Sequence, residues 1–494
     1  MHVLLLSTYE LGHQPLHVAS PAGALQRGGH DVRCVDLSLD PLDAHTLDWA
    51  DAVACSVPMH TAMRLALTVC AEIRARRPDV ALCLYGLYAG LDAGLEESST
   101  GCLVDRTIAG EYEPDLVGWV NEIAAGRAGR RRDGAEAVVS LGRGRFGLPA
   151  RDLLPPLDRY ARLAVAGDMR LAGYVEASHG CVHRCRHCPV PVIYDGRTRL
   201  VGEEAVVADV AQLMDLGARH ITFGDPDFLN GPHHAVRVVA AVHAAFPDLS
   251  FDITVKVEHI LRHGDVWPAL ARAGCLFVVS AFESASDDVL RRLDKGHTVA
   301  DEIEAVAVLR GAGIEPRPSL MPFTPWTTAD DITALLDLVR YCDLVGNVDP
   351  VHYSIRLLVP PGSLLISSGA LDGALGPYDP DALGWTWQSP DPRLDALQQE
   401  FAAIAVRAAA EDWRAGRAYE AVRAAAAAAL AETAGAGADS WASARAPGAD
   451  GRLRSAVEPD DRPRLTEAWF CCAEPTDAQF RTFVVDTATT AGGS

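Results

Sequence analysis

Twice along this chain, short apolar runs of strand length alternate with stretches whose apolar residues recur at helical spacing, first over residues 1–125 and again over 171–357. No single residue restricts the fold as strongly as this rhythm. Strand, helix, strand units require right-handed crossovers and build parallel sheets covered by helices. In the first block strands are expected at 3–7, 32–35, 52–57 and 81–85, with a weaker one near 106–109, and helices at 16–27, 61–76 and 113–125. An N-terminal doubly wound α/β sheet follows, whose ligands would sit in the loops 8–15, 56–61 and 86–90 at the carboxyl ends of the strands. In the second block the expected strands are 173–177, 220–223, 251–257, 276–281, 315–321 and 351–357, separated by helices at 202–216, 232–245, 266–273, 298–312 and 327–345. Six strands so arranged imply an open (βα)6 partial barrel, with its chemistry at the carboxyl ends of the strands.

The loop after the first of those barrel strands reads Cys181-Val182-His183-Arg184-Cys185-Arg186-His187-Cys188. Thiolates are soft ligands that select zinc or iron–sulfur clusters, and a closed structural site needs a fourth donor. Three cysteines leave one coordination position open, which suits a catalyst. His179, His183 or His187 could close a structural zinc site, so zinc stays open on spacing alone.

Six of the twelve cysteines, Cys34, Cys55, Cys70, Cys83, Cys275 and Cys342, lie in apolar runs and read as small buried hydrophobes. The opening Met1-His2-Val3-Leu4-Leu5-Leu6 has no basic region and no small-residue cleavage site, so a reducing cytoplasm and no disulfide framework are expected. No window reaches the roughly 18 apolar residues of a membrane span. A formal charge of −22 argues against a phosphate-neutralising surface. The basic run 127–132 ends at Asp133 and reads as a solvated linker.

Composition and rhythm together divide the chain into 1–125, a doubly wound Rossmann-type domain; 126–165, a Gly-, Arg- and Pro-rich linker packing along the next domain; 166–365, the barrel; 366–433, a helical appendage; 434–464, a flexible linker; and 465–494, a tail. The tail carries Ala468-Trp469-Phe470-Cys471-Cys472-Ala473-Glu474-Pro475. Vicinal thiols on a tether could reach an active site to donate hydrogen, accept a group or bind a soft heteroatom.

Cys181, Cys185 and Cys188, at the spacing C-x3-C-x2-C, resemble the cluster motif of the radical-SAM superfamily, and the resemblance extends from about Leu171 to Leu357. It implies that the three thiols hold a [4Fe–4S] cluster whose remaining iron chelates S-adenosylmethionine, and that a donor such as flavodoxin or ferredoxin supplies the electron that cleaves it. The residue before the last cysteine is usually aromatic in that family and is His187 here. Gly224 stands where the family has a glycine-rich loop for the S-adenosylmethionine amino group, in the form Gly224-Asp225-Pro226-Asp227, so helix capping is an alternative role for the two aspartates. Glu283 and Ser284 match the strand end that contacts S-adenosylmethionine, and Lys256 and Arg317 are candidates for its carboxylate.

Residues 1–125, with 23–37 as the quoted stretch, resemble in pattern the cobalamin-binding-like domain that precedes one class of radical-SAM cores. His13 follows Glu10-Leu11-Gly12 without the aspartate of the cobalt-ligating signature, so the domain either binds cobalamin without a nominated axial ligand or keeps only the sheet. The tail is similar to that of a radical-SAM family named for a Cys-Cys-Ala-Glu-Pro motif, some members of which carry selenocysteine in the pair. That similarity makes Cys472 the more reactive position and Cys471 its partner. A radical-SAM enzyme acting on a small molecule is therefore expected, with methyl transfer if cobalamin binds and with no nucleic-acid or membrane partner. The alternatives are a tRNA-modifying radical-SAM enzyme and a zinc- or thiol-based protein without radical chemistry.

Overall fold

The computed structural model describes residues 1–90, 103–127, 138–142, 146–430 and 451–467. These fall into two units, one of Met1–Tyr160 with Asp379–Leu383 and one of the remaining described residues from Ala161 onward.

Parallel strands buried on both faces are near-continuous apolar runs, and in the first unit β1 (His2–Ser7), β2 (Asp31–Asp36), β3 (Ala52–Ser56), β4 (Ala81–Tyr85) and β5 (Arg106–Gly110) form where those runs lie. With β6 (Val138–Ser140) they make a parallel sheet of order β2-β1-β3-β4-β5-β6. The order reverses at β1, so the loops after β1 and β3 flank a switch point. The helix Leu16–Arg27 buries Val18, Ala19, Ala22 and Leu25 against this sheet.

The described linker residues up to Tyr160, expected to pack along the following domain, belong to the first unit, and Arg162–Val165 already form a strand of the second. Ala150 and Leu154 join the core of the first unit, the Ala150 amide donates to the Ala19 carbonyl at 2.8 Å, and the buried Arg151 meets Gln14 at 3.5 Å. The strip thus adds two apolar side chains to the core that the helix Leu16–Arg27 makes with the sheet.

The second unit opens with a hairpin, β7 (Arg162–Val165) and β8 (Asp168–Val175), turned at Ala166 and Gly167, both with left-handed backbone as a two-residue hairpin turn requires. Four more strands follow in parallel, β11 (His220–Phe223), β12 (Ser250–Thr254), β13 (Cys275–Glu283) and β14 (Glu315–Leu320), and β17 (Arg464–Leu465) completes the order β14-β13-β12-β11-β8-β7-β17. Leu163 of β7 packs on Phe277 and Val279 of β13, across three intervening strands, so the sheet is curled. Capping boxes at Thr298 with Asp301 and Thr328 with Asp331 start the two helices that flank β14.

Two expectations for this unit change. The sixth barrel strand at 351–357 is instead a 3-10 turn, Pro350–Ser354, followed by a single parallel bridge of Arg356 to Phe323. Pro316 and Pro318 in β14 have no N–H to offer a further strand, and proline in a sheet is confined to edges. The second half of the stretch read as a flexible linker, 451–464, is held on the core. Arg462 is buried and donates to the Asp343 carbonyl and Asn347 Oδ1, both at 2.6 Å, to Asp343 Oδ2 at 3.0 Å and to the Val457 carbonyl at 3.1 Å. The appendage contains the expected helices, Pro392–Ala410 and Ala415–Leu430, preceded by a hairpin of β15 (Leu375–Asp379) and β16 (Gly384–Trp387). No helix among the described residues is long and apolar enough to cross a membrane.

Replacing Arg462 by Ala strands the Asp343 carboxylate and several acceptors, an expected loss of about 3 kcal/mol. Urea unfolding followed by circular dichroism measures it, and an unchanged midpoint would show that the segment 451–467 does not stabilise the second unit.

Candidate active site

Beyond β8 the chain forms a two-stranded ribbon, β9 (Ser178–Gly180) with β10 (Thr198–Leu200), that brackets the cysteine loop. Gly180 adopts a φ of 75°, and a Cβ there would lie 2.3 Å from the Arg197 carbonyl oxygen, so only glycine lets the ribbon close and launch Cys181. The loop after β11 grips this launch point. Asp225 accepts from the Ala177 amide at 2.9 Å and the Ser178 hydroxyl at 2.5 Å, while Asn230 accepts from the Val182 amide and donates to the Gly180 carbonyl, each at 3.2 Å. Burial pushes the Asp225 carboxyl up to about 7 against the opposing pull of these donors.

Gly224 makes room for a neighbour. A Cβ there would overlap the Tyr174 hydroxyl at 1.9 Å, and its amide donates to the Val175 carbonyl at 2.8 Å. Asp227 does cap, since Oδ1 accepts from the Leu229 amide at 2.9 Å, but Oδ2 also takes His259 Nδ1 at 2.9 Å and faces His183 Nε2 at 3.5 Å. These three donor groups lie within 4.8 Å of one another, a set of the kind that can hold a divalent cation. In the structure they close on each other as a hydrogen-bonded hub joining the cysteine loop to the loops after β11 and β12.

Cys181 and Cys185 are buried and Cys188 is partly so, and the three are close enough for each negative charge to disfavour the others. Burial pushes the Cys181 thiol up to about 12, with Asp227 adding to the rise. Burial also raises Cys185, opposed by the ammonium groups of Lys295 and Lys256. Lys256 Nζ lies 3.2 Å from both His183 Nδ1 and Glu258 Oε2.

From the opposite side the loop is held by Glu283, where β13 shifts register and ends with a left-handed φ of 67°. Its Oε1 receives Lys295 Nζ at 3.1 Å and His187 Nε2 at 3.2 Å, all three side chains being buried. Ser284 is buried beside it. Thus Glu283 and Lys256 stand at the cysteine loop, whereas Arg317 is engaged elsewhere, with Asp349 Oδ2 at 2.9 Å and the Pro463 carbonyl at 3.3 Å. Lys295, the His259–Asp227 pair and Asn230 escaped the sequence reading. The placement of Lys295 between Asp294 and Gly296, both with positive φ, marks a tight return of the chain, a conformational signal available only in part from the glycine. Cys471 and Cys472 lie outside the described residues.

Residues 175–339 match the sequence model of the Radical SAM superfamily, so the curled sheet with its cysteine loop is a radical SAM domain, which implies a [4Fe–4S] cluster and S-adenosylmethionine. Similar curated proteins include an uncharacterised methyltransferase of Pyrococcus horikoshii, 26% identical over 198 residues, 40% of this chain and 41% of that protein. Another is the hopanoid C-3 methylase of Methylococcus capsulatus, 24% identical over 331 residues, 63% of this chain and 62% of that protein. The chain therefore spans less than two thirds of the length of either. Among solved structures, the cobalamin-dependent S-adenosylmethionine radical enzyme OxsB aligns with a TM-score of 0.64 at 14% identity, covering 82% of this chain and 67% of its own. The radical S-adenosylmethionine methyltransferase TsrM from Kitasatospora setae aligns with a TM-score of 0.55 at 20% identity, covering 68% and 70%. Both share the fold.

Burial alone would raise the Glu283 carboxyl, but Lys295 and His187 outweigh it and hold the group down to about 2, below its ordinary 4.5. A depressed carboxyl stabilises the fold fully above pH 4.5 and loses that contribution as pH falls toward 2. A Lys295→Met variant leaves the carboxylate buried without its cation, so it should unfold at lower urea than the parent at pH 7, by about 3 kcal/mol, with the gap narrowing toward pH 3. Equal midpoints at pH 7 would disprove the pairing.

Proposed function

We propose that this protein is a radical-SAM enzyme of the cytoplasm that reductively cleaves S-adenosylmethionine and acts on a small molecule, with methyl transfer as its reaction class. The observation that carries this reading is the buried C-x3-C-x2-C loop at the carboxyl end of the first parallel strand of a curled sheet. The donor set suits the cluster: three thiols in one short loop bind three irons, and soft sulfur ligation is what iron–sulfur clusters require. Cys181, Cys185 and Cys188 would hold the cluster. Held there and reduced by an external donor such as flavodoxin or ferredoxin, such a cluster would supply the single electron that reductive cleavage of S-adenosylmethionine to methionine and a 5′-deoxyadenosyl radical requires.

The remaining residues bind and orient. Lys256 and Lys295 offset the negative charge that three thiolates bring into a buried site, and Lys256 is the group for the S-adenosylmethionine carboxylate. Gly224, Glu283 and Ser284 stand at the strand ends where S-adenosylmethionine would be received, Gly224 on the side of its amino group. Arg317 is withdrawn from that role, because its guanidinium is already shared between Asp349 and Pro463.

Cobalamin fits the first unit by fold. The buried Nδ1 of His60, which opens the helix His60–Arg76 after β3, has no hydrogen-bond partner among the described residues, and burial holds this ring neutral by lowering it to about 4. The residue stands four positions past β3, in the segment that flanks the switch point, where open parallel sheets receive a ligand. OxsB, a cobalamin-dependent enzyme, and TsrM, a methyltransferase, share the fold and support the same assignment. The Cys471–Cys472 tail, by its likeness to the Cys-Cys-Ala-Glu-Pro family, is assigned an assisting redox or group-accepting role.

Anaerobic reconstitution should give about four irons per chain, the content of one such cluster, and S-adenosylmethionine-dependent 5′-deoxyadenosine under dithionite. Cys185→Ala should lose both. Zinc in place of iron, or no 5′-deoxyadenosine from a fully loaded protein, would sink the assignment. Cobalamin incubated with the protein should co-elute with it in gel filtration, read by absorbance; free elution of all the cofactor would remove it from the reaction.

A further inference from the structure

His183 stands between Cys181 and Cys185 in the cysteine loop, yet its ring is turned to a different set of donors. Its Nε2 lies 3.5 Å from Asp227 Oδ2 and 3.5 Å from His259 Nδ1, and those two atoms are 2.9 Å apart. Among the described residues these are the one group of three histidine, cysteine or carboxylate side chains whose donor atoms all lie within 4.8 Å of one another. Asp227 comes four positions past β11 and His259 five past β12, so three separate segments bring the donors together at the carboxyl ends of the strands. Water is largely excluded, the side chains of His183, Asp227 and His259 being 12%, 2% and 5% exposed. Hydrogen bonding accounts fully for one contact only. At 2.9 Å the His259 ring donates to the carboxylate, whereas 3.5 Å is beyond the roughly 2.7–3.2 Å of an ordinary N–H to O bond. Two ring nitrogens that face each other gain a bond only if one carries a proton and the other does not. A single ion explains all three separations, because nitrogen and oxygen ligands at about 2.0–2.1 Å around a tetrahedral zinc ion stand roughly 3.4 Å apart.

We propose that His183, Asp227 and His259 form a second metal centre, for one divalent cation of the zinc class, beside the cysteine loop and separate from its three thiols. The donor set decides the class. Two imidazoles and one carboxylate suit a borderline ion, where thiolates select a softer one. Three protein ligands leave a fourth position for water or for an anionic oxygen or sulfur of a substrate. The surroundings fit as well. A metal-bound imidazole donates its other ring N–H to an outer partner such as a carboxylate, and Glu258 Oε2 lies 3.7 Å from His183 Nδ1. Lys256 Nζ is nearer to that nitrogen, at 3.2 Å, but it is also 3.2 Å from Glu258 Oε2, so the ammonium keeps a partner when the ring turns its N–H to the carboxylate. The other oxygen of Glu258 is held by Arg262. His263 packs edge-on against His259, with 5.4 Å between ring centres, and steadies the second imidazole. His183 thereby links two centres of different kind, since the loop that carries the thiols also supplies a ligand to the single ion.

Metal content of the full chain tests this, first in a background that lacks the thiol site. The variant Cys181→Ser/Cys185→Ser/Cys188→Ser, equilibrated with zinc and then dialysed, should retain about one zinc per chain. Cobalt(II) in its place should give visible d–d absorption without the near-ultraviolet charge-transfer band of thiolate ligation. In the same background His183→Ala and His259→Ala should each weaken zinc binding by at least about a hundredfold, since even the loss of an outer partner costs roughly 10- to 100-fold. Should His259→Ala fail to fold by circular dichroism, Asp227→Asn, which keeps the shape of the side chain, carries the same readout. No retained zinc, a thiolate band, or zinc held equally tightly by the histidine variants overturns the proposal. In the anaerobically reconstituted parent chain, zinc should add to the roughly four irons of a cluster and not replace them. About four irons with S-adenosylmethionine-dependent 5′-deoxyadenosine but no zinc overturns the second centre and leaves the enzyme assignment standing.

Discussion

A carboxylate buried at the end of a strand must find positive charge or hydrogen-bond donors, and the geometry of the candidate site depends on how Glu283 does so. One oxygen takes both the Lys295 ammonium and the His187 ring. Those contacts join the end of β13, the return after the helix Asp287–Arg292 and the cysteine loop. Leaving such a charge unpaired in the interior would cost several kcal/mol, so the three segments have one satisfactory arrangement. The left-handed backbone of Glu283 is tolerated for the same reason, since the partners that surround the side chain over-determine its position.

The opposite flank of the loop uses the same device with different partners. Asp225 ties the ribbon before Cys181 through the Ala177 amide and the Ser178 hydroxyl, and Asp227 gathers His183 and His259. Carboxylates from the ends of β11 and β13 thus hold a loop that contains three thiols, and Lys256 and Lys295 supply the positive charge nearby. A cation that binds soft sulfur would find the thiols assembled, with two ammonium groups near enough to offset thiolate charge against the burial that raises Cys181 and Cys185. This division suits a site that must accept both metal and an anionic cofactor carboxylate in a small volume.

The two units use parallel strands differently. In the first, every strand of the sheet is parallel and the order turns at β1, leaving a crevice at the carboxyl ends. In the second, the curl is finished by antiparallel pieces at one edge, β7 and β17, and proline blocks extension at the other. An edge with Pro316 and Pro318 cannot recruit a full sixth strand, so the barrel stays open, and its seam is crossed by residues that come from more than a hundred positions away in the chain.

How much of this was legible in the amino acids follows from the range over which each feature acts. Strand and helix rhythm is local, so the first five strands of the N-terminal sheet and the first five barrel strands lie close to where periodicity puts them, and the spacing of Cys181, Cys185 and Cys188 is covalent. The prolines of β14 were also local signals, and their consequence for the sixth strand could have been drawn from them. By contrast, His187 and Glu283 are 96 positions apart, and Arg462 and Asn347 are 115 apart. Nothing in local composition distinguishes 451–464 from an ordinary polar linker, or Lys295 from a surface lysine. The sequence by itself therefore determined the two parallel α/β units and the soft-metal loop, because periodicity and covalent spacing are properties of neighbours. Only the tertiary structure decided which charges surround that loop and what closes the barrel, because a buried ion pair exists only once the fold has excluded water from both partners.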